Sequence, residues 1–312
     1  MHSRKLRAAS LALGVLFLLC GSPWSAMAQS CGASGVGVQV LGSGGPDLRD
    51  RRASSSYLVW QDGKALVLVD AGGGSALRFG ESGAEMSQLD VILFTHFHAD
   101  HSSDLPALVL SSRFETRTAP LPIYGPPGND AFPSTTEFLD DLFSKSHGAW
   151  RYMSSVIEGG QPYLLQPHDV IVTDTPVNVF RNASFSVDAV RTDHGRAPAL
   201  AWRVDIAGKR IVFSGDTGGH GNALPRLADH ADLFVAHNAT SRFSDPGTIA
   251  ILMPPSVIGQ IASEAHVKRL VLSHRMQETL GKEHEKQTRE DIRKHYSGPI
   301  EFANDLDCYR LK

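Results

Sequence analysis

An α/β fold is expected for this chain on three grounds. Strand-like and helix-like segments alternate from residue 36 onward, without internal repeats or low-complexity stretches. Several apolar runs stop abruptly at a histidine or an aspartate, as they do where an α/β sheet presents functional groups at its strand ends. With 312 residues, 42% hydrophobic and 20% charged, the chain can bury a full core as one domain.

The elements follow in order. Arg4, Lys5 and Arg7 precede the apolar run Leu11 to Cys20, and Ala26 and Ala28 offer small residues for cleavage before Gln29. Residues 1–28 therefore read as a bacterial-type export signal, too short for a permanent membrane span, with 29–312 as the single mature domain in the periplasm or secreted. Removing three cations and no acid takes the net charge from −3 to near −6. Lys and Arg are spread along the chain, so no stripe suited to nucleic acid is visible. Cys31 and Cys308 remain, one near each end; a bridge between them and a pair of free thiols are both compatible with the sequence.

"VGVQVLGSGG" reads as a strand entering a glycine turn, and "SSSYLVWQDGKALVLVDAGGG" as a hairpin turning at Asp62-Gly63. "SQLDVILFTH" is a buried strand with its apolar centre at residues 91–94. The segment 119–167 carries an aromatic-rich helical stretch whose start is marked by Ser134, Thr135 and Glu137. It suits either a lid beside a site or an ordinary helix covering the sheet. Phe143, Trp150 and Tyr152 fit an apolar pocket or plain core packing equally. Four more strands end near "TDHG", "SGDT", "HNAT" and "SHR", and "GKEHEKQTREDIRKHY" reads as a solvated outer helix.

The densest chemistry lies in "FTHFHADH". His96 and His98, two apart, can converge on one cation, and Asp100 and His101 can turn towards a second. Imidazole and carboxylate suit zinc, and burying such groups without a partner costs about 1–3 kcal/mol each. His194, Asp216 and His274 follow later strands and complete five histidines and two aspartates, enough for two adjacent ions with an open position. His220, in a glycine-rich loop, reads first as an exposed histidine, with substrate contact as the alternative.

HxHxDH at 96–101, followed by His194, Asp216 and His274 in that order, resembles the metallo-β-lactamase fold superfamily over nearly the whole mature chain. The resemblance implies an αββα four-layer sandwich with a dinuclear site at one sheet edge. It implies a first ion on His96, His98 and His194, a second on Asp100, His101 and His274, and Asp216 bridging both. It also gives His237 a structural role. Aspartate at 216 differs from the cysteine or serine of true β-lactamases. The glycine-rich segments and "FSGDT" are most similar to the ribonuclease Z and zinc arylsulfatase-like group. Two positions depart from ribonuclease Z: Asn238 stands where its "HEA" motif has Glu, and no histidine occurs between His237 and His266.

The expected activity is that of an exported hydrolase with two divalent ions, most simply Zn2+. A hydroxide generated between them cleaves a small ester, and Asp100 serves as the catalytic carboxylate that orients the water and shuttles its proton. A sulfate ester or phosphodiester is favoured, with lactone or thioester as the alternative. A redox module is disfavoured because His98 occupies the position where a diiron site needs an acid. The expected partner is a small-molecule ester, without nucleic acid and without stable membrane insertion after signal removal; a homo-oligomer stays open.

Overall fold

The computed structural model describes residues 31–159 and 163–312. The expected export signal, residues 1–28, lies outside the described residues. Six strands form the body of the first sheet: β1 (Val36–Gly42), β2 (Ser56–Gln61), β3 (Lys64–Val69), β4 (Val91–Leu93), β5 (Leu121–Gly125) and β6 (Leu165–Asp169). Seven form the second: β7 (Val177–Arg181), β8 (Phe185–His194), β9 (Ala197–Ile206), β10 (Lys209–Phe213), β11 (Leu233–His237), β12 (Leu270–Ser273) and β13 (Ile300–Phe302). β14 (Cys308–Leu311) returns to the outer edge of β1, so the orders are β14-β1-β2-β3-β4-β5-β6 and β13-β12-β11-β10-β9-β8-β7.

Strand direction places the site. β3 to β6 are mutually parallel, as are β10 to β13. β9 runs antiparallel to both β8 and β10, so β8, β10, β11 and β12 all finish at one edge. The expected hairpin is present: β2 and β3 pair across Asp62 (φ 48°) and Gly63 (φ 81°), the two left-handed positions of a tight turn.

Because both faces of each inner strand are covered, the strands read as continuous apolar runs. In β3, Val67 and Val69 enter the core between the sheets, with Tyr57, Trp202 and Phe213, while Ala65 and Leu68 face the helices. Leu105, Leu108, Leu139 and Phe143 cover the first sheet, from the helices Leu105–Ser111 and Thr135–Phe143. Leu224, Ile258, Ile261 and Ile292 cover the second. Each such side chain contributes about 1.5–3 kcal/mol of burial. Three apolar layers between four structural layers make this the αββα sandwich. Lys282–Arg293 is an outer helix that buries Thr288, Asp291 and Ile292 and turns its other residues outward.

Segment 119–167 supplies β5, the start of β6 and the helix between them, so most of it belongs to the first sheet and its cover. The helix begins with a reciprocal capping box between Ser134 and Glu137. Phe143 is core and Tyr152 is exposed. Cys31 and Cys308 form a disulfide between residues 277 apart in sequence. Among the described residues no helix is long and apolar enough to cross a membrane.

Candidate metal centre

The seven residues singled out in the sequence meet at the shared strand-end edge. His96 and His98 follow β4, and a single helical turn, Ala99–Ser102, carries Asp100 and His101. His194 ends β8, Asp216 follows β10, and His274 follows β12 with a left-handed backbone (φ 53°). They form two groups. In one, His98 Nδ1 lies 3.0 Å from His96 Nε2 and 3.3 Å from His194 Nε2. In the other, His274 Nε2 lies 3.1 Å from Asp100 Oδ2, and His101 Nε2 lies 3.5 Å from the same oxygen. Asp216 stands between the groups: Oδ2 is 3.7 Å from both His194 and His101, and Oδ1 is 3.4 Å from His274.

The surroundings aim these nitrogens. His194 Nδ1 meets the Ile251 carbonyl at 2.9 Å, which leaves Nε2 as an inward electron pair. His101 Nδ1 meets Asp70 Oδ2 at 2.9 Å, and Asp70 also accepts from the Thr95 backbone N–H and hydroxyl. His237 falls within the second group, but both its nitrogens are taken, Nδ1 by Asp216 at 2.7 Å and Nε2 by the Tyr57 hydroxyl at 3.0 Å. It braces Asp216, in keeping with the structural role expected of it.

Burial holds His96 well below the ordinary histidine range and His98 below it, with neighbouring imidazoles adding to the effect. Burial opposes charge on His101 too, yet Asp70, Asp216 and Asp100 push it well above that range; Asp216 and Asp100 likewise raise His274 against burial. Burial would raise Asp100, but His101 and His274 outweigh it and bring the carboxyl down to about 2. The donor set fits divalent cations. His101 Nε2 is buried without a hydrogen-bond partner, facing two carboxylates beyond bonding reach, and three imidazole nitrogens converge where protons alone do not satisfy them.

A cavity of about 330 Å³ opens over the cluster, floored by His98, Asp100, His194, Asp216 and His274, with Phe132 and Ile251 in its walls. It adjoins a groove of about 690 Å³, the two sharing residues from His194 to Ala197. Asp70, Thr95 and Phe132 are the functional neighbours that sequence reasoning missed. The aspartate at the end of the run "LVLVD" was the available signal for Asp70.

Residues 66–275 match the model of the beta-lactamase superfamily domain. The chain belongs to that superfamily. With the metal-ligand chemistry above, it is a metal-dependent hydrolase of ester bonds. Ribonuclease Z of Mycobacterium bovis is 28% identical over 86% of this chain and 96% of its own length. Ribonuclease Z of Mycolicibacterium gilvum is 31% identical over 58% of this chain, and the match spans 62% of that relative's length. Among solved structures, the metallo-beta-lactamase fold protein YhfI from Bacillus subtilis superposes with a TM-score of 0.68 (22% identity; 88% of this chain, 98% of that one). The short form of human tRNase Z superposes at 0.67 (22%; 88% and 99%).

These relatives correct two expectations. A small-molecule, arylsulfatase-like ester substrate and the exclusion of nucleic acid are both overturned by relatives named ribonuclease Z. The physical reason is that the HxHxDH set specifies cations and not the ester they attack. Net charge, moreover, is summed over the whole surface, whereas the groove is lined locally by the cationic Arg191 and Arg196.

Proposed function

We propose that this beta-lactamase superfamily member hydrolyses phosphodiester bonds of RNA at a two-zinc centre. The observation that carries the reading is the pairing of two metal-ligand groups around Asp216 with a groove leading away from them, in a chain that aligns with ribonuclease Z over most of its length. His96, His98 and His194 would hold one ion; Asp100, His101 and His274 the other; Asp216 both. Bound cations would supply Lewis-acid polarisation of the phosphoryl oxygen and a water of lowered pKa. Asp100 is held ionised beside His101 and His274 and lies on the cavity floor. It orients the attacking water and takes its proton. His237 and Asp70 fix the rotamers of Asp216 and His101, so these ligands need little rearrangement on loading.

The test is purification of the mature chain, metal analysis, and cleavage of a 3′-extended transfer RNA and of a single-stranded RNA. About two zinc ions per chain and RNA cleavage lost in Asp216→Asn are expected. A fully loaded protein that leaves both RNAs intact would refute the reading. We further propose passage through an export pathway, supported by the segment 1–28 and the Cys31–Cys308 bridge. Cell fractionation of a tagged full-length chain checks it: retention in the cytosol with residues 1–28 uncleaved counts against export.

A further inference from the structure

Departure of a ribose alkoxide needs a proton, since an unprotonated alkoxide is a poor leaving group. Six of the seven clustered side chains would be held on cations, and Asp100 is engaged with the attacking water, on the side of phosphorus opposite the leaving oxygen. Asn238 is buried, gives its amide to the Thr240 carbonyl and carries no acidic proton, so the donor has to come from elsewhere.

The groove wall holds a candidate. His220 Nδ1 lies 2.5 Å from Asp193 Oδ2. The other Asp193 oxygen accepts from Thr217 Oγ1 at 3.0 Å, and Thr217 Oγ1 in turn accepts from the Gly219 N–H at 3.0 Å. The Gly218 N–H donates to the Asp193 carbonyl at 2.9 Å. The carboxylate is thus fixed on both oxygens, and it sits next in sequence to His194, as Thr217 does to Asp216. The loop is shaped around the pair. A Cβ at Gly218 would stand 2.4 Å from the Ala250 carbonyl oxygen, 2.7 Å from His220 Cε1 and 2.8 Å from Asp193 Oδ2, and Gly219 and Gly221 take left-handed backbones (φ 73° and 74°). An exposed ion pair contributes little to stability. Packing of the loop on Ala250, Met253 and Val257 accounts for its glycines, but not for a carboxylate fixed on both oxygens beside an imidazole that is 66% exposed. His220 lines the groove, which shares the residues from His194 to Ala197 with the cavity over the metal groups.

We propose that His220, positioned by Asp193, is the acid that protonates the leaving group; this rests on the phosphodiesterase reading above. The water oxygen forms its bond to phosphorus, and the bond from phosphorus to the ribose oxygen breaks. The electron pair stays on the ribose oxygen, which takes the proton from His220 Nε2. Asp193 accepts from Nδ1–H throughout and keeps Nε2 as the donating nitrogen.

The experiment compares wild type, His220→Gln and Asp193→Asn in hydrolysis of RNA and of aryl phosphodiesters with leaving groups of rising pKa, alongside metal content and melting temperature. His220→Gln should retain its metal and melting temperature. It should lose about 10²–10³-fold in kcat on RNA and only a few-fold on the nitrophenyl diester, with a steeper dependence on leaving-group pKa. Asp193→Asn should show the same pattern at smaller size. An equal loss across all leaving groups, or no loss at all, would overturn the assignment. Should wild type hydrolyse the aryl series but no RNA, the RNA reading fails while the series still decides the role of His220.

Discussion

The two halves of the metal cluster are electrostatically different. Burial keeps His96 and His98 neutral, so they can accept a cation without first losing a proton. The carboxylates around them push His101 well above the ordinary histidine range and raise His274 above it, so both rings hold a proton more tightly. Loading the apo-protein at pH 7 should therefore release protons, and affinity for the second ion should rise with pH as those two rings give theirs up. Calorimetry in buffers of different ionisation enthalpy checks this; an uptake without proton release would contradict it. Asp70 makes a sharper case, since its carboxylate is the nearer partner of His101 Nδ1, at 2.9 Å against 3.4 Å for the Thr95 hydroxyl. Asp70→Asn should weaken one ion by about 10–100-fold and leave the other near its original affinity, read by competition with a chelator. The seven candidate ligands were legible in the sequence because His96, His98, Asp100 and His101 crowd one short segment after a strand and His194, Asp216 and His274 each follow an apolar run. Asp70 was not picked out, because a lone aspartate at a strand end looks like any turn residue until its distance to His101 is known.

The elements were legible in proportion to their burial. The Asp62-Gly63 hairpin and the Ser134 helix start carry local signals that need no tertiary context, and both are present. β6 and β7 went unread: "LQPHD" and "VNVFR" are short, largely solvent-facing and lie at or next to sheet edges, so neither alternation nor a buried run marks them. Glycine at 72 links an element to the site. A Cβ there would lie 2.1 Å from the Asp100 carbonyl oxygen, a backbone neighbour that cannot swing away. Gly72→Ala should push the turn bearing Asp100 and His101 outward and reduce metal content, measurable by elemental analysis of a protein whose circular dichroism is otherwise preserved. Ser134→Ala removes one partner of the capping box and should cost about 1 kcal/mol in urea unfolding without touching metal content.

Across the described residues, the chain lays down β1 to β6 in one sheet and β7 to β13 in the other, and β14 crosses back. The Cys31–Cys308 bridge ties that returning strand to the start of the first sheet. Replacing both cysteines by serine should cost about 2–5 kcal/mol, seen as a lower melting temperature that a reductant no longer changes. What the sequence did not disclose at this scale was the substrate, because a groove and its wall exist only once β8, β9 and the loop after Asp216 are brought together. The ligands also straddle the seam: His96 and His98 from one sheet face His194 from the other, and Asp100 and His101 face His274. Each cation would then act as a rivet through both leaves. A chain nicked in the link between β6 and β7 should travel as one particle on gel filtration while loaded, and a chelator should loosen it far more than it loosens the uncut protein.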